Sequence, residues 1–268
     1  MVSRRSDDEL RKMRHAGRLV ARVLQEMEKL VAPGLTTAEL DGVAEAIIRR
    51  AGAVPSFKGY HGYPATICAS VNAEIVHGIP GERELLDGDI VSIDVGAIWQ
   101  GYHGDAAITL AVGQVPGPVE RLLETTRAAL DAGISAVRAG ARMGDVSHAI
   151  EAAAREAGCE VIREYGGHGI GREMHEPPRI PNWGPPGGGV RLSEGMTFCL
   201  EPMLTLGGYG TRVLDDEWTV VTADGSLSAH YEHTVAVTRN GAEILTQDDD
   251  RSEGRYQDEG QALGEEAL

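Results

Sequence analysis

The sequence predicts an α+β protein in which one supersecondary unit is used twice about a pseudo-twofold axis. Three observations predict it. Val31-Ala-Pro-Gly34 through Ala51-Gly52 is echoed 106 residues on by Val137-Arg-Ala-Gly140 through Ala157-Gly158. Asp87-Gly-Asp-Ile-Val-Ser-Ile-Asp94 is echoed 107 residues on by Glu194-Gly-Met-Thr-Phe-Cys-Leu-Glu201, each an acid and a glycine followed by an apolar strand ending in a carboxylate. Asp105, heading a strand with Ile108 and Leu110, has its counterpart in Glu232, which heads Thr234-Val-Ala-Val. Each half is then two helices, a strand ending in an acid, and a second strand beginning with one.

The elements follow in order. Ser6-Asp-Asp-Glu9 is a capping box opening a helix to about Val31, with Leu10, Met13, Val20, Leu24 and Met27 toward the core. Pro33-Gly34 stops it, and Thr36-Thr-Ala-Glu39 caps a second helix ending near Gly52. A turn-rich loop, Pro55 to Pro64, carries three aromatic side chains, Phe57, Tyr60 and Tyr63. Strand-like Ala65–Val71 leads through Asn72 and His77 to a hairpin, with β-formers Ile90–Val95 on one arm, turn residues Gly101–Gly104, and Ala107–Val112 returning. After Pro116-Gly-Pro118 come helices over about Val119–Ala139 and Gly144–Ala157. The glycine-rich Gly166–Gly171 and a Pro/Gly loop, Pro177–Gly189, precede strands at Met196–Leu200, Trp218–Thr222 and Thr234–Thr238. Residues 1–246 are expected to form a single catalytic domain and 247–268 an acidic, disordered tail with eight acids against two arginines.

Composition narrows the function. A formal charge of −16 argues against general nucleic-acid binding. No apolar run is long enough to span a bilayer, and the first residues lack the apolar centre of a signal peptide. Three cysteines, Cys68, Cys159 and Cys199, lack metal-site spacing and fit a reducing cytoplasm.

Either hairpin acid alone reads as a turn cap or a solvated strand end. Their recurrence at matching strand ends favours a site, because buried carboxylates that meet must be paired or ligate a metal. Four acids with one imidazole suit a pair of divalent transition metals, Mn²⁺, Fe²⁺ or Co²⁺, with Zn²⁺ also compatible. His168 is the candidate nitrogen ligand, since Gly166, Gly167, Gly169 and Gly171 permit close approach. His175 lies seven residues on, so the chain must bend between them if both face the site. Such a metal pair activates water for hydrolysis without a nucleophilic serine or cysteine. The six remaining histidines, His15, His61, His103, His148, His230 and His233, are left as surface or supporting positions.

The ordered set Asn72-x4-His77-Gly-Ile-Pro, Ile93-Asp94-Val, His103-Gly-Asp105, Gly167-His168-Gly-Ile-Gly-Arg-x2-His175-Glu-x-Pro, Glu194-Gly-Met-Thr-x2-x-Glu201-Pro-Met and Tyr231-Glu232-His-Thr resembles the type I methionine aminopeptidases, over roughly residues 7–246. The resemblance implies the pita-bread fold, a curved antiparallel sheet with flanking helices. It implies a dinuclear centre held by Asp94, Asp105, His168, Glu201 and Glu232, with Asp105 and Glu232 bridging, and a monovalent cation near Asn72 and Ser228. It implies removal of the N-terminal methionine from nascent chains with a small second residue. Glu201 would be the general acid/base, His175 would donate to the oxyanion, and His77 would contact the peptide near the scissile nitrogen. Phe57, Tyr60, Tyr63, Cys68, Met174 and Trp218 would form the methionine pocket. A large second-half insertion is missing, which favours type I over type II. Departures fall at Phe57, Met174 and Gly96, where the family often has a small residue or Cys, Phe, and Thr.

An Xaa-Pro peptidase on the same fold and a non-catalytic binding protein are the alternatives. A helix starting near residue 7 leaves no room for the N-terminal domain usual in the former, and five intact ligands argue against the latter. The expected enzyme is a cytoplasmic monomer. It would meet nascent chains at the ribosome through a basic patch of Arg4, Arg5, Lys12, Arg14 and Arg18.

Overall fold

The computed structural model describes residues 2–247, so the acidic tail expected at 247–268 lies outside the described residues from 248 on. Four helices are present among them: α1 (Asp7–Leu30), α2 (Thr37–Arg50), α3 (Gly117–Ala136) and α4 (Met143–Glu156). The first-half strands are β1 (Val54–Pro55), β2 (Ile67–Val71), β3 (Glu74–Val76), β4 (Ile90–Trp99) and β5 (Tyr102–Ala111). The second half holds β6 (Glu160–Val161), β7 (Gly166–Gly169), β8 (Glu176–Pro181), β9 (Thr197–Leu200) and β10 (Met203–Thr205). It continues with β11 (Thr211–Val213), β12 (Val220–Thr222), β13 (Ser228–His230), β14 (Glu232–Thr238) and β15 (Gly241–Ile244).

A nine-stranded antiparallel sheet runs β1-β4-β5-β14-β9-β7-β8, with β2 also on β4 and β15 on β14. The halves meet where β5 pairs with β14, Glu232 opposite Ala107 and His233 opposite Ala106. Alternation along the strands then sorts the two faces. Val91, Ile93 and Val95 turn toward α1 and α2, joining Val20, Leu24, Met27, Leu40 and Ile48 in one core. Phe198, Leu200, Val235 and Val237 turn toward α3 and α4, joining Leu122, Leu130 and Ile150 in another. Both helix pairs cover one face and leave the opposite face for Asp94, Asp105, Glu201 and Glu232. Two small sheets, β13-β10-β6 and β11-β12-β3, flank it, the latter joining β3 of the first half to β12 of the second.

Both capping boxes form. Ser6 and Thr36 accept from the N–H of Glu9 and Glu39, whose carboxylates accept from the cap N–H at 2.9 and 2.8 Å. The hairpin differs from expectation. Its turn is Gln100-Gly101 alone, both at positive φ (48° and 77°), the geometry of a type I′ connection. Gly104 lies within β5 and serves packing, since a Cβ there would meet Gly17 N at 2.7 Å and Ala16 C at 2.9 Å. Helix α1 therefore crosses the hairpin with its backbone against β5. The segment expected as a Pro/Gly loop begins instead with β8, an edge strand, where prolines cost no ladder hydrogen bond on the open side.

The cations of the expected basic patch have partners within the protein. The Arg5 side chain is 7% exposed and ion-paired with Glu176. Arg14 donates to Glu243 at 2.9 Å, Lys12 pairs with Asp8 at 2.7 Å, and Arg4 donates to the Glu194 carbonyl at 2.7 Å. Each of these four cations thus also holds one of the protein's own acids or carbonyls.

Candidate metal centre and substrate pocket

The acids meet because the register places them on one face. Asp94 stands opposite Ala107 and Asp105 opposite Gly96 on the β4–β5 hairpin. Glu232 stands opposite Ala107 from the other side. Leu200 opposes His233, which carries Glu201, the next residue after β9, to the neighbourhood of Glu232. Asp105 and Glu232 are each 2% exposed. His168 comes in from β7, with Nε2 3.8 Å from Asp105 Oδ2 and 3.6 Å from Glu201 Oε1.

Electrostatically this cluster is unsatisfied on its own. Asp94 Oδ1, Asp105 Oδ1 and Glu232 Oε1 are buried without a hydrogen-bond partner. Burial, and then the charge of Asp94, push the Glu201 carboxyl up to about 8. Burial raises Asp94 to about 7, and burial with neighbouring carboxylates raises Asp105 and Glu232 well above their ordinary range. Burial holds His168 down at about 3, so its imidazole is neutral. Its Nδ1 lies 3.0 Å from the Gly169 carbonyl, an acceptor, which assigns the ring proton to Nδ1 and turns the Nε2 lone pair toward the acids. Orphaned carboxylate oxygens around a neutral imidazole lone pair fit divalent cations.

The tightest cluster of candidate ligand atoms is Asp105, His168, Cys199 and Glu232, all within 4.8 Å of one another. Cys199 is an addition to the expected set. It pairs with Thr234 on β14 and so shares a face with Glu201 and Glu232. Burial and the Glu232 and Asp105 charges push its thiol pKa well up, and its Sγ lies 3.5 Å from Thr234 Oγ1. A fully buried thiol beside Thr234 packs as a small apolar group, so Cys199 reads as the floor beneath the acids. Asp94 and Glu201, though outside that tightest cluster, line the same cavity.

That cavity, about 200 Å³, opens from the acids toward solvent. Every expected pocket residue lines it: Phe57, Tyr60, Tyr63, Cys68, Met174 and Trp218, with His77 and His175. Tyr63 is fixed by donating to Ile67 O and Gly78 O at 3.0 and 2.9 Å, and meets Trp218 edge-on at 5.0 Å. The chain does bend between the two histidines, through an irregularity at His168/Gly169, and their rings lie 4.2 Å apart. Tyr60 Oη is 2.9 Å from His175 Nδ1. His77 sits in a left-handed bend (φ 61°), and burial lowers it to about 4. Sequence reasoning missed Val76 and Tyr165, which also line the cavity; Tyr165 directly precedes the glycine run, and nothing in its type marked it.

Two departures explain each other. A Cβ at Gly96 would meet Ser56 Cβ at 2.7 Å and Phe57 Cε1 at 2.9 Å, so the Phe57 ring occupies the space a side chain at 96 would need. Among the other histidines, His15, His61 and His148 are exposed, whereas His103 is buried with Nδ1 2.9 Å from Ser56 Oγ. His230 is buried with Nε2 3.8 Å from Glu232 Oε2. At the expected monovalent-cation position, Ser228 N–H donates to Asn72 O at 3.0 Å. The Asn72 amide is taken up by Asp89 and Ile90, and the Ser228 hydroxyl donates to Leu204 O.

Residues 11–239 match the sequence model of metallopeptidase family M24. Methionine aminopeptidase 1 of Mycobacterium tuberculosis is 53% identical over 253 residues, covering 92% of this chain and 95% of the relative. Methionine aminopeptidase 1 of Bacillus subtilis is 48% identical over 246 residues, covering 92% and 99%. The crystal structure of methionine aminopeptidase from Thermotoga maritima superposes with a TM-score of 0.92 at 46% identity, covering 92% of this chain and all of that one. The chain belongs to the methionine aminopeptidases of metallopeptidase family M24.

Proposed function

We propose that this chain hydrolyses the N-terminal methionine from nascent proteins and peptides whose second residue is small. One observation carries the reading: four carboxylates, Asp105 and Glu232 buried and Asp94 and Glu201 half-buried, stand with a neutral imidazole at the head of a cavity with aromatic and sulfur-bearing walls. Two divalent ions (cobalt, manganese, iron or zinc), held by Asp94, Asp105, His168, Glu201 and Glu232 with Asp105 and Glu232 shared, would supply Lewis acidity and a water acidic enough to attack at neutral pH.

The side chains do the rest. Glu201, standing beside His168 at the head of the cavity, takes the proton of the attacking water and gives it to the amine as the peptide C–N bond breaks. With the Tyr60 hydroxyl donating to His175 Nδ1, Nε2–H is left to donate to the oxyanion. His77, kept neutral by burial, faces the scissile nitrogen. Phe57, Tyr60, Tyr63, Cys68, Met174 and Trp218 receive the unbranched thioether, a soft chain that suits aromatic and sulfur contacts.

Residues 1–246 would act as one catalytic domain, since both halves contribute to a single cavity, and the enzyme would work as a monomer. Three free cysteines support a cytoplasmic setting, and no helix among the described residues is long and apolar enough to cross a membrane. A monovalent cation beside Asn72 and Ser228 would rest on main-chain carbonyls and the Ser228 hydroxyl oxygen, since the Asn72 amide is occupied. Contact with the ribosome would draw on the more accessible of the expected cations, such as Arg4 and Lys12, and not on the secluded Arg5.

The test is methionine release from a Met-Ala-x peptide against cleavage of an x-Pro peptide, with metal content measured on the same protein. Methionine release from the first alone is expected. Preference for x-Pro would establish the Xaa-Pro alternative, and no turnover by metal-loaded protein would leave a binding role.

A further inference from the structure

The loop Gly171–His175 connects β7 to β8 and carries Met174 and His175, both on the cavity. Little within the loop fixes it. Gly171 N–H donates to Glu173 O at 3.1 Å, and Gly171 O accepts from His103 N–H at 2.8 Å. The stronger tie comes from the segment ahead of α1. Arg5 donates its own N–H to Gly195 O at 2.7 Å and sends its guanidinium under the loop. There Nη2 pairs with Glu176 Oε2 and reaches Ile170 O at 3.3 Å, while Nε reaches Thr197 Oγ1 at 3.3 Å. The other Glu176 oxygen accepts from the N–H groups of Arg172 and Glu173 at 3.0 and 3.3 Å. One carboxylate thus gathers the loop backbone on one side and the Arg5 fork on the other. The pair is secluded, with side chains 7% and 12% exposed. Gly171 completes the fit, because a Cβ there would fall on the guanidinium.

We propose that Arg5 is a positioning residue for the aminopeptidase reaction, acting through Glu176 to hold His175 and Met174 in their working places. The proposal rests on the function proposed above. A buried carboxylate stripped of its cation turns toward water, and Glu176 cannot turn without releasing the N–H groups of Arg172 and Glu173. Since His175 directly precedes Glu176, the loop moves with it. A displacement of about 1 Å of a positioning group costs on the order of 10²-fold in rate. The requirement is for a fork, as three acceptors in different directions are met at once, which a lysine ammonium cannot reproduce.

The experiment compares wild type, Arg5→Ala and Arg5→Lys in the metal-loaded full chain on a Met-Ala-x peptide, with hydrogen exchange of residues 171–176 measured on each. For Arg5→Ala we expect kcat down by roughly 10- to 100-fold with KM changed far less, faster loop exchange, unchanged metal content, and partial recovery of kcat with millimolar guanidinium. Arg5→Lys should fall between. Arg5→Ala with kcat within twofold of wild type and unchanged loop exchange would overturn the proposal. So would a loss of rate that tracks a lost melting temperature and ignores guanidinium, since that is a merely structural role. If wild type itself releases no methionine, the functional reading fails, and loop exchange in Arg5→Ala still decides whether Arg5 holds the loop.

Discussion

The two halves place their acids at matching strand positions but connect those strands differently. In the first half β4 and β5 are joined by the two residues Gln100-Gly101, so Asp94 and Asp105 sit on one uninterrupted hairpin. In the second half the chain leaves after β9 and makes β10, β11, β12 and β13 before returning as β14. That excursion carries Trp218 into the pocket wall and His230 to within 3.8 Å of Glu232. The first half therefore supplies a rigid edge to the acid cluster, with Phe57, Tyr63 and Cys68 behind it. The second supplies matching acids together with the wall on the far side of the cavity. The chemistry is shared between the halves, and part of the selectivity hangs on a connection that only one of them has.

The sharpest test of equivalence is at Asp105 and Glu232, which occupy corresponding positions on the two central strands. Asp105→Ala and Glu232→Ala should each lower turnover on the order of 10³-fold or more, to a similar degree, by removing a proposed metal ligand. Near-normal turnover in either variant would break the symmetry and the metal assignment with it. Trp218→Ala addresses the inequivalent part. KM for a methionyl peptide should rise by roughly 10- to 100-fold, as expected for about 1–3 kcal/mol of pocket contact. Metal content should stay normal; loss of metal would mean that the excursion belongs to the centre itself.

Chelation tests the pair of halves together. Asp94 and Glu201 hold protons up to about 7 and about 8 in the metal-free folded chain, which the unfolded chain has already released. Stability of the metal-free protein should therefore fall as pH rises from the ordinary carboxylate range to about 8. The buried histidines work oppositely. His77 and His103 are held at about 4, so they favour the fold above the ordinary imidazole pKa and lose that contribution as pH falls toward about 4. Between about pH 6.5 and 8 only the carboxylates act, and the melting temperature of chelated protein should drop by a few degrees. Metal-loaded protein should hold steady over the same range. Equal pH slopes with and without metal, by differential scanning calorimetry, would contradict the cluster's role.

The smallest effects concern helix docking. Gly104→Ala drives a methyl into the α1 backbone and should cost about 1–3 kcal/mol. Gly133→Ala in α3 meets side-chain atoms, Ile150 Cγ1 at 2.7 Å and Cδ1 at 2.9 Å, in place of backbone, and should cost less, helped by alanine's better helix propensity. Urea denaturation of the two variants gives the comparison, and a larger loss at Gly133 would reverse it.

What could be read in the sequence was local. Ser6-to-Glu9 and Thr36-to-Glu39 announce helices because the cap and its partner lie three residues apart. The acids could be read because they recur at strand ends, where period-two alternation says which face they take. Gly104 was mistaken for a turn residue because its need is set by α1, about ninety residues upstream. β8 was missed because its prolines signal a loop unless the strand is known to lie at an edge. Cys199 and Tyr165 belong to the site through cross-strand register and loop placement, which no spacing encodes. Arg5 looked like a surface cation until its carboxylate was found in the other half.

The contact of Gly17 with the far end of the described chain has a temporal consequence. A side chain at 17 would collide with the carbonyl of Leu245, and Arg14 one turn earlier reaches Glu243, so α1 beds down on the β15 region, 229 residues further along the chain for the Arg14–Glu243 pair. During translation that seat stays vacant until residues 243–245 have emerged. A newly made copy therefore completes the docking of α1 only after β15 has been made, however early the helix itself forms.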